Sequence, residues 1–427
     1  MKYNIHNQWD PLETIVLGDF YLPEFFEGIK NQKIKSGLCK IAEEAQEDLE
    51  QYQAVLQQFG VEVLRPKIDK NDSILNYVNK DGKLRHRSGA PMSPLQPRDR
   101  QVVIGNELFC TNGFSQQHPA IPQLLKDYSN EFVQFTAPLN QKQYNNYRGT
   151  HSPDWPDYYT YLEKYIFEKP YTNNAEINSE IEQIHINEPR YETFYTDGPS
   201  ITMVGKDIYI DQLIWRTPDF IEKHTTDHYY TKFRQRFDKH RINTLHIGGH
   251  SDGCFHTLKP GVLISINEIQ NYDVTFPDWD VLYIDEPRWR TYNGFRKMKA
   301  EINGKWWIPE QEDNHELTHF IETVCNNWTG FLAESVFDVN LLVIDQHHVL
   351  VSEINDEVDA FLKKHKMEPI LIPWRHKFFF DGGIHCITLD LKRKGVQQDY
   401  FPQRTKPVID KGYDFGLDDQ VSIEEFK

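Results

Sequence analysis

The clearest pattern in the chain is a pair of short apolar runs separated by a polar turn, and it recurs. It occurs as VVIGNELFC (102–110), ITMVGKDIYID (201–211), FHTLKPGVLIS (255–265) and NLLVIDQHHVLVS (340–352), with a weaker member in ETIVLGDF (13–20). The runs are rich in Val, Ile, Leu and aromatic residues, and the turns carry Gly, Asn, Asp or Pro, which is typical of β-hairpins. The pattern therefore predicts a series of related hairpins.

Helical periodicity follows several of these hairpins. Residues 41–60 place apolar side chains at helical spacing and end at Gly60, and the strand-like VEVLRP follows directly. Segments 356–373 and 220–249 repeat this order of helix and then strand. The repeated unit is thus hairpin, helix and strand. Such units can close into a ring around a central channel, so we expect an α/β fold of propeller type.

Two longer polar stretches, 112–190 and 270–335, interrupt the repeats. They are too aromatic for plain disordered linkers. Lids and specificity loops commonly occupy such positions. We expect a single domain over residues 1–427, with insertions at these two places that cover one face.

Charge and composition narrow the possible partners. With 39% hydrophobic and 26% charged residues, the composition is that of a globular protein. A formal net charge of -17 disfavours nucleic acid and anionic membranes, because like charges repel, and it suits a small cationic substrate. No apolar run approaches the roughly 18 residues of a transmembrane helix, and the N-terminus lacks the pattern of a signal peptide. We expect a cytoplasmic protein.

The five cysteines are widely spaced and form no CxxC pair, which disfavours a disulfide framework or a thiolate zinc site. Cys386 differs from the others because it follows Gly382 and Gly383 just before a predicted strand. A cysteine there can lie exposed in a cleft, where nearby donors stabilise its thiolate. The alternative is a buried strand cysteine.

His250 and Asp252 are two residues apart in LHIGGHSDGCFH. On a strand both side chains would point to one face, and such a pair suits acid–base chemistry that also holds a cation. His246 and His256 lie nearby and leave a zinc site as an alternative, although the spacing matches no common zinc motif.

Two more carboxylates precede predicted strands. Asp197 stands before a Gly-Pro corner and could orient a histidine, or it could be an ordinary turn residue. Asp99 lies in an Arg-Asp-Arg run that could equally be solvated. Together with the two preceding motifs, they place an acidic or reactive residue at the same point of successive hairpin units. A site on the axis of a ring requires that arrangement.

Five ordered motifs carry a resemblance to a known family. They are NQWDPLETIVLG, QPRDRQVVIGNEL, TDGPSITMVGKDIYI, HSDGCFHTLKPGVLIS and GGIHCITLDLKRKG. The chain resembles the arginine:glycine amidinotransferase family of guanidine-modifying enzymes over most of its length. This resemblance implies the pentein fold, a five-bladed α/β-propeller with its site on the axis, and chemistry without a metal or organic cofactor.

The resemblance also implies a role for individual residues. Cys386 would be the nucleophile, His250 the acid–base residue and Asp197 the carboxylate that pairs with it. Asp99 and Asp252 would grip the guanidinium, and Asp338 and Asn340 would lie at the donor. The chain departs from the family at two positions, since Ile269 replaces an arginine that holds the donor's carboxylate and Asp338 replaces a serine. Four arginines are candidate substitutes: Arg148, Arg216, Arg288 and Arg290.

The function implied is transfer of an amidino group from a guanidine donor such as L-arginine to an amine acceptor. With glycine as acceptor the products would be guanidinoacetate and ornithine, and the family suggests a homodimer. Three alternatives stay open on the sequence: a deiminase or dihydrolase on the same residues, a non-catalytic propeller, and a metallohydrolase.

Overall fold

The computed structural model describes fourteen stretches of the chain. They are residues 2–80, 93–110, 118–129, 133–134, 198–211, 233–245, 250–266, 272–284, 308, 311, 313–325, 328, 337–380 and 382–408. Most of the two predicted insertions lies outside them, and the insertion boundaries stay a prediction.

Fifteen strands in these stretches form five three-stranded sheets. Sheet 1 contains β1 (Leu12–Leu17), β2 (Glu62–Leu64) and β15 (Thr388–Arg393); sheet 2 contains β3 (Gln101–Ile104), β4 (Glu107–Cys110) and β5 (Val133–Gln134); sheet 3 contains β6 (Ile201–Val204), β7 (Asp207–Asp211) and β8 (Arg241–Leu245); sheet 4 contains β9 (Phe255–Lys259), β10 (Val262–Ile266) and β11 (Asp280–Ile284); sheet 5 contains β12 (Leu342–Val343), β13 (His348–Val351) and β14 (Glu368–Leu371). In every sheet the middle strand pairs antiparallel with one neighbour and parallel with the other.

In sheets 1, 2, 4 and 5 a helix connects the two parallel strands, as the repeated unit predicts, and other helices lie between strands of different sheets. The described helices are α1 (Gln32–Gln58), α2 (Ala120–Tyr128), α3 (Ser251–Cys254), α4 (Tyr272–Thr275), α5 (His315–Val324), α6 (Asp356–Lys364) and α7 (Lys377–Phe380), with 3-10 helices at Pro23–Phe26, Ile74–Asn76 and Pro97–Arg100. The longest, α1, begins earlier than predicted because the Asn31 side chain accepts hydrogen bonds from the first helical N–H groups. Among the described helices, none is both long and apolar enough to cross a bilayer.

Sheet 1 joins the two ends of the described chain. The run at 13–20, predicted as a weak hairpin, supplies only β1, and its antiparallel neighbour is β15. The other four predicted hairpins are β3–β4, β6–β7, β9–β10 and β12–β13. The α/β class is therefore confirmed.

Three buried apolar clusters connect neighbouring sheets. One packs β1 against β12 and β13 beneath α1. A second contains residues of sheets 3, 4 and 5, and a third contains residues of sheets 1, 2 and 3. Each sheet thus shares a core with the next, and the fifth shares one with the first.

Residues 4–12, which we call the N-terminal strap, contact all five sheets. Its bonds run from Asn4 N to Leu391 O (3.1 Å), from Ile5 N to Gly105 O (2.8 Å), from Gly205 N to His6 O (2.6 Å), from Thr257 Oγ1 to Gln8 Oε1 (2.9 Å) and from Leu12 N to Ile344 O (2.9 Å). Two of these partners, Gly105 and Gly205, are turn glycines with positive φ. The strap therefore crosses the sheets at the hairpin turns.

Two turn glycines allow a matched test of this close packing. Gly205 and Gly261 have φ of 63° and 79°, so alanine at either should cost about 1 kcal/mol of left-handed strain. A Cβ at Gly205 would also lie 2.1 Å from the Gln398 carbonyl oxygen, whereas one at Gly261 meets nothing within 4 Å. We expect Gly205→Ala to lower the urea midpoint clearly more than Gly261→Ala. Equal shifts would contradict the packing.

Candidate active site

The segments that lead into one strand of each sheet lie together. We call them the lead-in segments: 93–100, 198–200, 250–254, 337–341 and 382–387. Hydrogen bonds connect Gly198 N to Asp99 O (3.3 Å), Ser251 N to Pro199 O (3.1 Å), Asn340 Nδ2 to Asp252 O (3.2 Å), His385 N to Asn340 Oδ1 (2.9 Å) and Arg98 Nε to His385 O (3.2 Å). The last bond returns to the first segment, so the bonds form a closed circuit through all five.

Cys386 lies on this circuit, in a turn that ends where β15 begins. Its side chain is only 4% exposed, which differs from the exposed position expected from the sequence. The two preceding glycines let the chain pass this closely, because a Cβ on Gly383 would lie 2.4 Å from Asn340 Oδ1 and one on Gly382 would lie 3.1 Å from Cys386 Cβ. The nucleophile candidate is therefore held in a tight, nearly closed turn.

Asp252 provides the carboxylate beside the thiol. Its Oδ2 atom lies 3.6 Å from Cys386 Sγ, and the residue is 3% exposed. The sequence predicted that His250 and Asp252 share one face of a strand. Instead His250 is the extended, half-buried residue before α3, and Asp252 lies within that helical turn. The chain bends here because Gly253 N donates to His250 O, and β9 begins only at Phe255.

Asn340 links the thiol to its surroundings. Its Nδ2 donates to Cys386 Sγ at 3.0 Å and to Asp252 O, and its Oδ1 accepts from the backbone N–H groups of His385 and Cys386. The side chain is fully buried. The structure therefore brings Cys386, Asp252 and Asn340 into direct contact.

The remaining predicted residues are less closely connected. Asp99 joins the circuit through its backbone carbonyl. Asp338, half-buried, lies two residues before Asn340, and burial together with the negative charge of Glu353 raises the pKa of its carboxyl to about 6. The other predicted positions lie outside the described residues: Asp197, His246, Ile269, Arg148, Arg216, Arg288 and Arg290. Within the described residues no group of three or more His, Cys, Asp or Glu could hold a metal ion.

Sequence reasoning missed the buried charges that support this turn. Arg98, which belongs to the run that could equally be solvated, is 7% exposed and donates to both His385 O and Asp390 Oδ1. Arg393, which is 1% exposed, donates to Asp390 Oδ2. Burial alone would raise the pKa of Asp390, but these two guanidinium groups hold that pKa below its usual range. The sequence signal for these buried charges is DLKR, which places charged residues directly after the apolar start of a predicted strand.

His385, next to Cys386, was not singled out either. It is 2% exposed, and its Nδ1 lies 2.7 Å from Asp252 Oδ2. Burial, followed by the positive charge of Arg98, lowers its pKa well below the usual value, so the imidazole is neutral. The site therefore combines a thiol, a carboxylate and a neutral imidazole behind them.

Comparisons with known proteins point to one activity. No protein-family model matches the chain. The chain is 23% identical over 371 residues to L-arginine:L-lysine amidinotransferase of Pseudomonas savastanoi pv. phaseolicola, covering 83% of this chain and 80% of that protein. It is 21% identical over 422 residues to the mitochondrial glycine amidinotransferase of Xenopus tropicalis, covering 93% and 84%. The resemblance to amidinotransferases is confirmed.

Solved structures that are similar in fold include two amidinotransferases. One is SxtG, an amidinotransferase of the saxitoxin biosynthetic pathway from Microseira wollei, with a TM-score of 0.54, 18% identity and coverage of 94% of this chain and 100% of that one. The other is the inosamine-phosphate amidinotransferase of Streptomyces griseus, with a TM-score of 0.54, 16% identity and coverage of 93% and 99%. At this identity the likeness concerns the fold.

The contact between Asn340 and Cys386 predicts an effect on thiol reactivity. Asn340→Asp would replace the amide donor 3.0 Å from Sγ with a negative charge, which disfavours the thiolate. We expect the pH midpoint of the rate at which iodoacetamide alkylates Cys386 to rise by about one unit. Peptide mass spectrometry measures this, with Cys39 in the same sample as the reference. An unchanged midpoint in a folded variant would mean that this contact does not influence the thiol.

Proposed function

We propose that this relative of the amidinotransferases moves an amidino group from a guanidine donor, with L-arginine the first to test, to an amine acceptor through an amidino-cysteine on Cys386. The observation that carries the proposal is the contact of Cys386 Sγ with the Asp252 carboxylate and the Asn340 amide. This contact lies where the five lead-in segments meet, in a chain that resembles amidinotransferases over most of its length.

The chemistry follows from these groups. Sγ forms a bond to the central carbon of the guanidinium, and the bond from that carbon to the donor's substituted nitrogen breaks. The thiol proton ends on the departing amine by way of His250, so the charge of the amidinium stays on the enzyme-bound group. The acceptor amine then forms a bond to the same carbon, and the bond from that carbon to Sγ breaks. A proton of the amine returns to sulfur through His250, and the product leaves with the amidino group.

Carboxylates are suited to holding the planar cation. Asp252 and Asp99 would accept hydrogen bonds from the guanidinium nitrogens, which present five N–H donors in fixed directions. Because Asp252 is 3% exposed, its attraction for the cation is screened less than at the surface. Asp197 would orient His250. Asn340, by its contacts, would hold the nucleophile as well as border the donor.

We also propose that the five sheets close into the five-bladed propeller implied by the resemblance. Two observations support this. Successive sheets share buried clusters in cyclic order, and the lead-in segments are hydrogen-bonded in a closed circuit. In such a ring the candidate nucleophile lies at the axis, where all the segments contribute.

The first test is rapid acid quench with L-arginine, followed by mass spectrometry of the Cys386 peptide. We expect an amidino adduct with release of ornithine, discharged by an amine such as glycine or lysine. Cys386→Ala should abolish turnover and keep the fold, whereas Cys39→Ala should transfer like the wild type. Turnover by folded Cys386→Ala would overturn the mechanism, and citrulline formation without an acceptor would identify a hydrolase.

The raised pKa of the Asp338 carboxyl predicts that donor binding depends on pH. With a pKa of about 6, its carboxyl is charged above that pH and neutral below it. If it binds the ammonium of the donor's amino acid end, KM for L-arginine should rise several-fold as the pH falls through this value. Asp338→Asn should have a high KM throughout and lose this dependence.

The control substitution removes a negative charge from an exposed position outside the candidate site. Asp356 is exposed in the first turn of α6, and Asp356→Asn should leave KM and its pH profile unchanged. An Asp338→Asn enzyme that keeps the wild-type pH profile would exclude Asp338 from the donor.

A further inference from the structure

His385 is attached to the two groups that the proposed reaction uses. Its Nδ1 lies 2.7 Å from Asp252 Oδ2, and the same oxygen lies 3.6 Å from Cys386 Sγ. It also directly precedes Cys386 in the chain. A change in this imidazole therefore acts on the carboxylate and, through it, on the surroundings of the thiol.

The imidazole has a fixed orientation. Its backbone N–H donates to Asn340 Oδ1 at 2.9 Å, and its carbonyl accepts from Arg98 Nε at 3.2 Å and from Thr388 Oγ1 at 2.8 Å. The ring packs edge-to-face against His256, with the ring centroids 4.9 Å apart and an angle of 88°. Both histidines are almost fully buried. Nδ1 is thus aimed at Asp252 from a rigid support.

The protonation state decides what this contact does. Burial, and then neighbouring positive charge, lower the pKa of both His385 and His256 well below the usual value. A neutral imidazole whose Nδ1 faces a carboxylate carries its hydrogen on Nδ1 and donates it. His385 therefore stabilises the carboxylate by a hydrogen bond and does not neutralise its charge.

The nearby cations are bound to another carboxylate. Arg98 Nη2 donates to Asp390 Oδ1 at 2.9 Å, and Arg393 Nη2 lies 2.7 Å from Asp390 Oδ2. Among the described residues, the titratable or charged groups around His385 and Asp252 include His250 and Cys386 in the lead-in segments, His256 on β9, Arg98 in the 3-10 helix, and Asp390 and Arg393 on β15. Asp390 thus partly offsets the two arginine charges that would otherwise compete with a substrate cation.

We propose that His385 is a positioning residue that holds Asp252 ionised and aimed, so that an incoming guanidinium meets a full negative charge. This inference rests on the proposed function and adds a residue to its machinery. A cationic residue in place of His385 would form a permanent ion pair with Asp252 and occupy the place of the substrate. A neutral donor fixes the carboxylate and leaves its charge for the guanidinium.

The test measures binding without turnover. In a Cys386→Ala background, methylguanidine and L-arginine are titrated by calorimetry from about pH 6 to about pH 8, above the range in which an unperturbed carboxyl titrates. His385→Leu removes the donor, and His385→Asn keeps an N–H near the position of Nδ1. The control is His376→Leu, which removes another buried histidine paired with a carboxylate, that of Glu44.

We expect His385→Leu to bind both guanidines at least tenfold more weakly, equivalent to about 1.4 kcal/mol, and to lose further affinity as the pH falls. A buried carboxylate that has lost a donor takes up a proton more readily. His385→Asn should stay within about threefold of the parent, with a flat pH profile. His376→Leu should lower thermal stability and leave binding unchanged.

Three results would overturn the inference. The first is parental affinity and a flat profile in His385→Leu. The second is a folded His385→Asn that behaves like His385→Leu, which would assign His385 to packing alone. The third is a parent that binds neither guanidine, which would also overturn the proposed function. In the first two results the parent still binds, so failure of this inference is distinguished from failure of that function.

Discussion

A buried carboxylate that binds a cationic substrate must already be ionised when the substrate arrives. In the proposed mechanism Asp252 has this task, and the groups around it suit that requirement. An isolated buried charge costs several kcal/mol, and a permanent countercharge would remove the attraction for a substrate. In the structure His385 Nδ1 lies 2.7 Å from Asp252 Oδ2, and the neighbouring Arg98 and Arg393 are paired with Asp390.

Much of the fold could be predicted from periodicity, because hairpins and amphipathic helices are local features. Four of the five hairpins and the helix α6 were predicted at the right places, whereas α1 was predicted from residue 41 and begins at Gln32. β5 has only two residues, too few for a periodic signal. The pairing of β1 with β15 could not be derived from local pattern, since it joins the two ends of the described chain. α3 was read as strand because a turn of four residues has no periodicity of its own.

The sequence pointed to several residues that meet at the candidate site, and not to the buried charges that support them. Cys386 and Asp252 lie in the motifs of the sequence, Asn340 was predicted from the resemblance, and the three side chains are in contact. Arg98 and Arg393 are buried, and a single charged residue in a short polar run usually indicates solvent exposure. Their burial depends on Asp390, which lies far from Arg98 in the sequence. Only the folded structure reveals that the three charges compensate one another.

The pairing of β1 with β15 has a consequence for synthesis. The chain is made from its N-terminus, so β1 and the strap exist long before the strand that completes sheet 1. Until residues 388–393 have been made, one edge of β1, with the apolar side chains of Ile15, Val16 and Leu17, has no antiparallel partner, and unpaired apolar edges promote aggregation. Cys386 belongs to the same late segment, so a nascent chain acquires this cysteine together with β15. A shorter nascent chain lacks the nucleophile of the proposed reaction.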